Sequence, residues 1–194
     1  MILIYVRNMF LQLLFFTPIY ILSRIIYIKI KKLNTTFKKE FALGIFILYI
    51  FGLLSQTVFP KMNIGIDDNT GFYFDVYINP NRQYNIRPFR TISEYLFSNN
   101  NNVSNWDKVS MLNLAANLAL FMPFGFLLPL NIQKFKSYKK VFICSILLIL
   151  SIEFIQYFIG RSSDIDDVIL NMLGVTLGYL AYKIFNKIMH LKNN

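Results

Sequence analysis

The sequence predicts an all-α polytopic membrane protein. It has about five transmembrane helices and a long outward loop between helices two and three. Three observations carry this. Of 194 residues, 55% are hydrophobic and only 15% charged, where a soluble domain carries roughly a quarter charged residues. Apolar runs close to the roughly 20 residues that cross a bilayer core recur along the chain. The basic residues gather in alternate connections, the pattern that orients membrane helices.

The five segments run from about Ile4 to Ile28, Phe41 to Phe59, Ser110 to Leu130, Val141 to Ile159 and Ile165 to Phe185. Backbone polar groups must pair internally in lipid, so each is expected as a helix. The first contains Pro18, a kink candidate. It is too long for a signal-peptide core and no small-x-small site follows it, so it is expected to be retained. All of 1–194 reads as one membrane domain, without an internal repeat.

Loop charge sets the expected orientation. The stretches Lys29–Glu40, Asn131–Lys140 and the tail from Lys183 hold twelve positive charges and one negative. Pro60–Val109 and Gly160–Asp167 hold six positive and eight negative. The first group is therefore expected in the cytoplasm with the C-terminus, and the N-terminus outside. The net charge of +10 follows this topology, so no nucleic-acid partner is expected; the bilayer is. No feature of the sequence sets an oligomeric state.

In the long outer loop, Asp67-Asp68-Asn69-Thr70-Gly71 signals a turn. Phe72-Tyr73-Phe74 reads as a short strand or an interfacial segment. Asn99–Asn102 reads as a solvated linker. From Asn85 to Leu96 the apolar spacing fits a short helix at the membrane surface.

Single residues exclude some chemistry. One cysteine, Cys144, excludes an internal disulfide and a cysteine metal cluster. One histidine, His190, excludes a multi-histidine metal site and disfavours a Ser-His-Asp triad. No metal or other cofactor is expected.

The polar residues inside the spans fall at one level. With a 1.5 Å rise per residue, Asn117, Glu153 and Asn171 each lie roughly 9–10 Å below the outer surface. Gln56 and Gln156 lie nearer to it. Glu153 and Gln156 share a helix face, as do Asp164, Asp167 and Asn171. Only one of Asp166 and Asp167 can share that face. The candidate ligand-binding set is Asn117, Glu153, Gln156, Arg161, Asp164, Asp167 and Asn171, with Glu153, Arg161, Asp164 and Asp167 as catalytic candidates. Structural roles compete. Asp164 suits an N-cap, Asp166 and Asp167 suit the positive end of a helix dipole, and Arg161 suits pairing with these acids or with lipid phosphate. Asn117 and Asn171 suit interhelical hydrogen bonds. Glu153 favours a functional reading, because an acid inside a membrane helix costs about 2.5–3.5 kcal/mol on insertion scales. Gly174 and Gly178 form a GxxxG pair that permits close helix approach. Pro123 and Gly125 suggest a break or bend in the third segment.

These pieces together resemble the VanZ-like family of small bacterial membrane proteins. The resemblance runs from Thr57-Val58-Phe59-Pro60 to Gly178, with a core of about residues 57–178. It rests on Asn85 with Pro88-Phe89, Asn113 to Asn117, Phe121-Met122-Pro123-Phe124-Gly125, Glu153-Phe154-Ile155-Gln156, and Arg161 to Gly174. It implies a cell-envelope role in lowered susceptibility to teicoplanin and similar lipid-bearing glycopeptides. Three mechanisms fit that expectation. One is non-enzymatic binding of a lipoglycopeptide or lipid-linked envelope precursor. Another is a membrane enzyme on such a precursor, with Glu153 as acid or base, Arg161 on a phosphate, and Asp164 and Asp167 on a divalent cation. The last is a small proton-coupled transporter or flippase.

Overall fold

A computed structural model of the chain describes residues 2–59, 61–67, 71–77, 83–98 and 105–192. The expected asparagine linker Asn99–Asn102, the centre of the turn at Asp68–Thr70, and Pro60 lie outside these residues.

Six helices dominate. They are α1 (Ile2–Lys31), α2 (Phe37–Thr57), α3 (Arg90–Phe97), α4 (Trp106–Asn131), α5 (Tyr138–Phe158) and α6 (Ile165–Lys192). Four carry stretches long and apolar enough to cross a membrane: Gln12–Lys31, Trp106–Asn131, Tyr138–Phe158 and Ile165–Leu191. The further expected crossing falls on α2, which is 21 residues long. Its ends are polar, Lys38-Lys39-Glu40 at one and Ser55-Gln56-Thr57 at the other, and it packs against α1 and α4. Its buried C-terminal end reaches the last turns of α5, where Gln156 Nε2 donates to the Thr57 carbonyl at 3.1 Å.

At the opposite end, Arg24 of α1 grips Glu40 of α2 in a fork: Nε to Oε2 at 2.7 Å and Nη2 to Oε1 at 2.9 Å. Thr35 donates to the same carboxylate at 2.8 Å. The helices are not interrupted at their prolines. α1 runs through Pro18, and α4 runs through Pro123 and Pro129. Near Pro123, the Tyr49 hydroxyl of α2 donates to the Leu120 carbonyl at 2.7 Å.

The outer connection adds β structure to this helical frame. β1 (Lys61–Asp67) pairs antiparallel with β2 (Gly71–Tyr77), Lys61 opposite Tyr77 and Asp67 opposite Gly71. Phe72-Tyr73-Phe74 thus lies in a strand. The two-residue strands β3 (Tyr84–Asn85) and β4 (Ser163–Asp164) pair in parallel. They pin the outer segment to the α5–α6 turn. The expected surface helix is α3. It carries no buried residue, and Phe89 and Phe97 at its ends are exposed. Trp106 at the start of α4 holds its end, donating to the Ser98 carbonyl at 2.6 Å and meeting Tyr95 edge-on.

The core lies where α4, α5 and α6 meet, around Phe121, Ile149 and Val175, all fully buried. α4 and α6 form the most extensive contact in the molecule. Three glycines make it possible. A Cβ built on Gly174 would stand 2.1 Å from the Leu118 carbonyl oxygen, and one on Gly178 1.9 Å from that of Met122. One on Gly125 would stand 2.0 Å from that of Val175. Gly174 and Gly178 therefore act as expected, and Gly125 packs into the same seam from the facing helix.

Any side chain at these three positions meets backbone, which cannot swing away. Gly178→Val is expected to force α4 and α6 apart and destabilise the fold by about 1–3 kcal/mol or more. Gly44 is the control, because a Cβ there meets only the Tyr20 ring, at 3.6 Å. Thermal unfolding in detergent should show a large fall for Gly178→Val and little change for Gly44→Ala. Equal behaviour of the two would contradict this account of the seam.

Candidate functional site

The α6 face that carries Gly174 and Gly178 also carries Asp167 and Asn171, at intervals of three and four residues. The seam with α4 thus continues as a polar layer towards the start of α6. There Asn117 of α4 donates its amide to Asp167 Oδ1. α5 contributes Glu153 and Gln156 from one face, both buried. α2 contributes Gln56 and Thr57 from its polar end.

These side chains enclose a cavity of about 280 Å³. Its lining includes Asn117, Glu153, Gln156, Arg161, Asp167 and Asn171, six of the seven candidate residues. Arg161 Nη1 donates to the Gln56 carbonyl at 2.6 Å, closing the layer on the α2 side. Glu153 Oε2 accepts the Asp164 backbone N–H at 2.9 Å, which ties α5 to the start of α6. Asn171 is only 6% exposed, and its Oδ1 has no hydrogen-bond partner.

The seventh candidate, Asp164, lies beside the cavity. It is buried and lines a neighbouring cleft of about 400 Å³ with Asn85, Thr91 and Arg90. Its Oδ1 accepts the Asp166 N–H at 2.9 Å, a local cap on α6. The same oxygen accepts Asn85 Nδ2 at 2.9 Å, and Oδ2 accepts the Thr91 hydroxyl at 2.5 Å. Asp164 and Asp167 therefore face different partners, which weighs against their sharing one cation. Among the described residues, no three His, Cys, Asp or Glu side chains converge as a metal site would need.

Asp166 and Asp167 separate cleanly. Asp167 faces the cavity. Asp166 is fully buried and points to the first turn of α3. Its Oδ1 accepts the Phe89 N–H at 2.5 Å and its Oδ2 the Ile92 N–H at 3.1 Å. Phe89 has φ +64°, the left-handed region, which costs a non-glycine residue roughly 1–2 kcal/mol. The Asp166 carboxylate offsets that cost and supplies the negative charge that a helix start favours. Asp166, Thr91 and Ser162 were not among the candidates. The first signal for Asp166 was that one of two adjacent acids must point away from Asn171; Thr91 left no signal in the sequence.

The family described as VanZ/LLP1 matches residues 46–186. A relative named Protein VanZ, from Enterococcus faecium, is 39% identical over 77 residues, covering 39% of this chain and 47% of the relative. The chain thus matches about half the length of that relative. No solved structure matches. The chain belongs to the VanZ/LLP1 family, and it is a multi-pass membrane protein.

Asp166 anchors α3, so removing its carboxylate should free α3 without opening the α4–α6 seam. Asp166→Ala leaves two backbone donors without their acceptor, a cost of roughly 1–3 kcal/mol for each one that stays buried. Hydrogen exchange should quicken at residues 89–97 and stay slow in the middle of α4 and α6. Unchanged protection at Ile92 would contradict the anchoring role.

Proposed function

We propose that this VanZ-family protein lowers susceptibility to teicoplanin and related lipid-bearing glycopeptides through its polar cavity, held open to the outer side of the cell membrane. The observation that carries the reading is the cavity itself. Nine polar or charged side chains from α2, α4, α5, α6 and the α5–α6 turn line it, in a chain whose helices are mostly apolar. Such groups are costly at membrane depth and mark functional sites. The partner is the head group of a lipoglycopeptide or of a lipid-linked envelope precursor, reached from the outer leaflet.

The orientation belongs to the same proposal. The lysine-rich connections between α1 and α2 and between α4 and α5 lie at the helix ends remote from the cavity, as does the basic C-terminus. The positive-inside rule puts those ends in the cytoplasm and the cavity outside. In a background carrying Cys144→Ala, Ser98→Cys is expected to react with an impermeant thiol reagent on intact cells. Ser137→Cys should react only after the membrane is opened. The reverse pattern would remove the premise of an outward cavity.

A second reading, a membrane enzyme on a lipid-linked precursor, is favoured by Glu153 and Arg161 lining one cavity. A carboxyl group and a guanidinium together suit proton transfer beside a bound phosphate.

The test is teicoplanin susceptibility in a sensitive Gram-positive host at matched membrane levels. Wild type is expected to protect, and Glu153→Ala and Arg161→Ala to lose most of the protection. Full protection by both variants would sink the cavity as the working site. Protection retained by Glu153→Gln but lost by Glu153→Ala would favour binding over acid–base chemistry.

A further inference from the structure

The charge around the cavity is lopsided. Several donors at its wall are already engaged within the protein. Gln156 Nε2 is bonded to the Thr57 carbonyl, Asn117 Nδ2 to Asp167, and Arg161 Nη1 to the Gln56 carbonyl. Each of the two amides that donates in this way keeps a carbonyl oxygen that can only accept. Glu153 and Asp167 keep acceptor capacity as well, since a carboxylate offers about four lone-pair sites. Asn171, at the cavity wall, makes no side-chain hydrogen bond: its Oδ1 is buried without a donor, and its amide N–H groups are open beside it. The charged lining is two carboxylates to one guanidinium.

A fitting ligand brings donors and positive charge. Phosphate and carboxylate groups bring acceptors and would face Glu153 and Asp167. A neutral hydroxyl brings one donor and asks for donors in return. A protonated primary amine brings three donors and accepts nothing. We infer that the cavity binds a protonated primary amine carried on a small polar head, such as an amino sugar or an ethanolamine group. This rests on the reading of the cavity as the working site and names the chemistry that site selects. The volume suits one sugar ring or one head group, not a whole glycopeptide. Exposed Ser162 lines both the cavity and the neighbouring cleft, so the remainder of a larger molecule has a route outward.

The test is thermal unfolding of the full chain in phosphatidylglycerol nanodiscs, titrated with ethanolamine, glucosamine, glucose and glucose 6-phosphate. A ligand that binds only the folded state raises Tm with concentration. The two amines are expected to raise it, while glucose and glucose 6-phosphate leave it unchanged. Asp167→Asn and Asn171→Leu should each weaken the amine response by about tenfold or more, the size of a lost charge-assisted or buried hydrogen bond. Asn171→Leu keeps the test decisive if Asp167→Asn folds poorly.

Discs containing phosphatidylethanolamine separate the two sources of amine. If the lipid head is the ligand, these discs alone raise Tm and added ethanolamine does nothing more. If a soluble amine is the ligand, the lipid has no effect and both soluble amines keep theirs. No amine response in phosphatidylglycerol discs overturns the inference, as does an equal response to glucose or a response to glucose 6-phosphate alone. The susceptibility assay stands apart. Protection lost in Glu153→Ala without amine binding would overturn only the amine inference. Amine binding by a protein that gives no protection would overturn only the resistance reading.

Discussion

The close approach of α4 and α6 is the constraint on which the rest depends. Gly125, Gly174 and Gly178 let backbone meet backbone at a distance where a single Cβ would clash. Lipid gives helices no hydrophobic reason to associate, so such packing and interhelical hydrogen bonds must hold them together. The seam fixes both the distance between the helices and the rotation of each. That rotation carries Asp167 and Asn171 on to the α4 side, where Asn117 meets Asp167. The polar layer is the glycine seam continued towards one end, with hydrogen bonding replacing contact.

Three acids within four residues then do three different things. Asp164 caps α6 and receives Asn85 and Thr91 from the outer segment. Asp166 caps α3. Asp167 faces the cavity. Their shared position at the start of α6 is electrostatically favourable, since the helix dipole presents its positive end there. Their divergence follows from helix rotation of about 100° per residue, so neighbours serve different partners. The outer segment is thereby fastened to the start of α6 by carboxylates, without apolar burial of α3.

Most of the polar groups that link the helices find partners inside the protein. Arg24 is satisfied by Glu40, Tyr49 by a carbonyl near Pro123, and Gln156 and Arg161 by carbonyls at the end of α2. Such satisfaction is what a low-dielectric surrounding demands. Against that background, a buried acceptor left open on Asn171 is informative. Among the described residues Gln12 Oε1, Tyr20 Oη and Ser145 Oγ are also buried without a partner, but of the four only Asn171 lines the cavity.

Much was legible without coordinates. Hydropathy and charge are local properties, so the apolar segments at about Ile4–Ile28, Ser110–Leu130, Val141–Ile159 and Ile165–Phe185 were readable from composition and run length, and α1, α4, α5 and α6 form there. Periodicity is local too, so the shared face of Asp167 and Asn171 and the Gly174–Gly178 pair were readable, whereas Asp164, expected on that face, precedes α6 and turns to the outer segment. The tertiary structure alone decided what depends on distant segments meeting. It made Gly125 a packing glycine, because its partner is the Val175 carbonyl of another helix. It turned Asp166 to α3 and Asp167 to the cavity, because β3 pairs with β4 across nearly half the chain. It also left Asn171 Oδ1 without a donor, because whether a buried group is satisfied depends on every neighbour that reaches it, and no spacing along one helix contains that information.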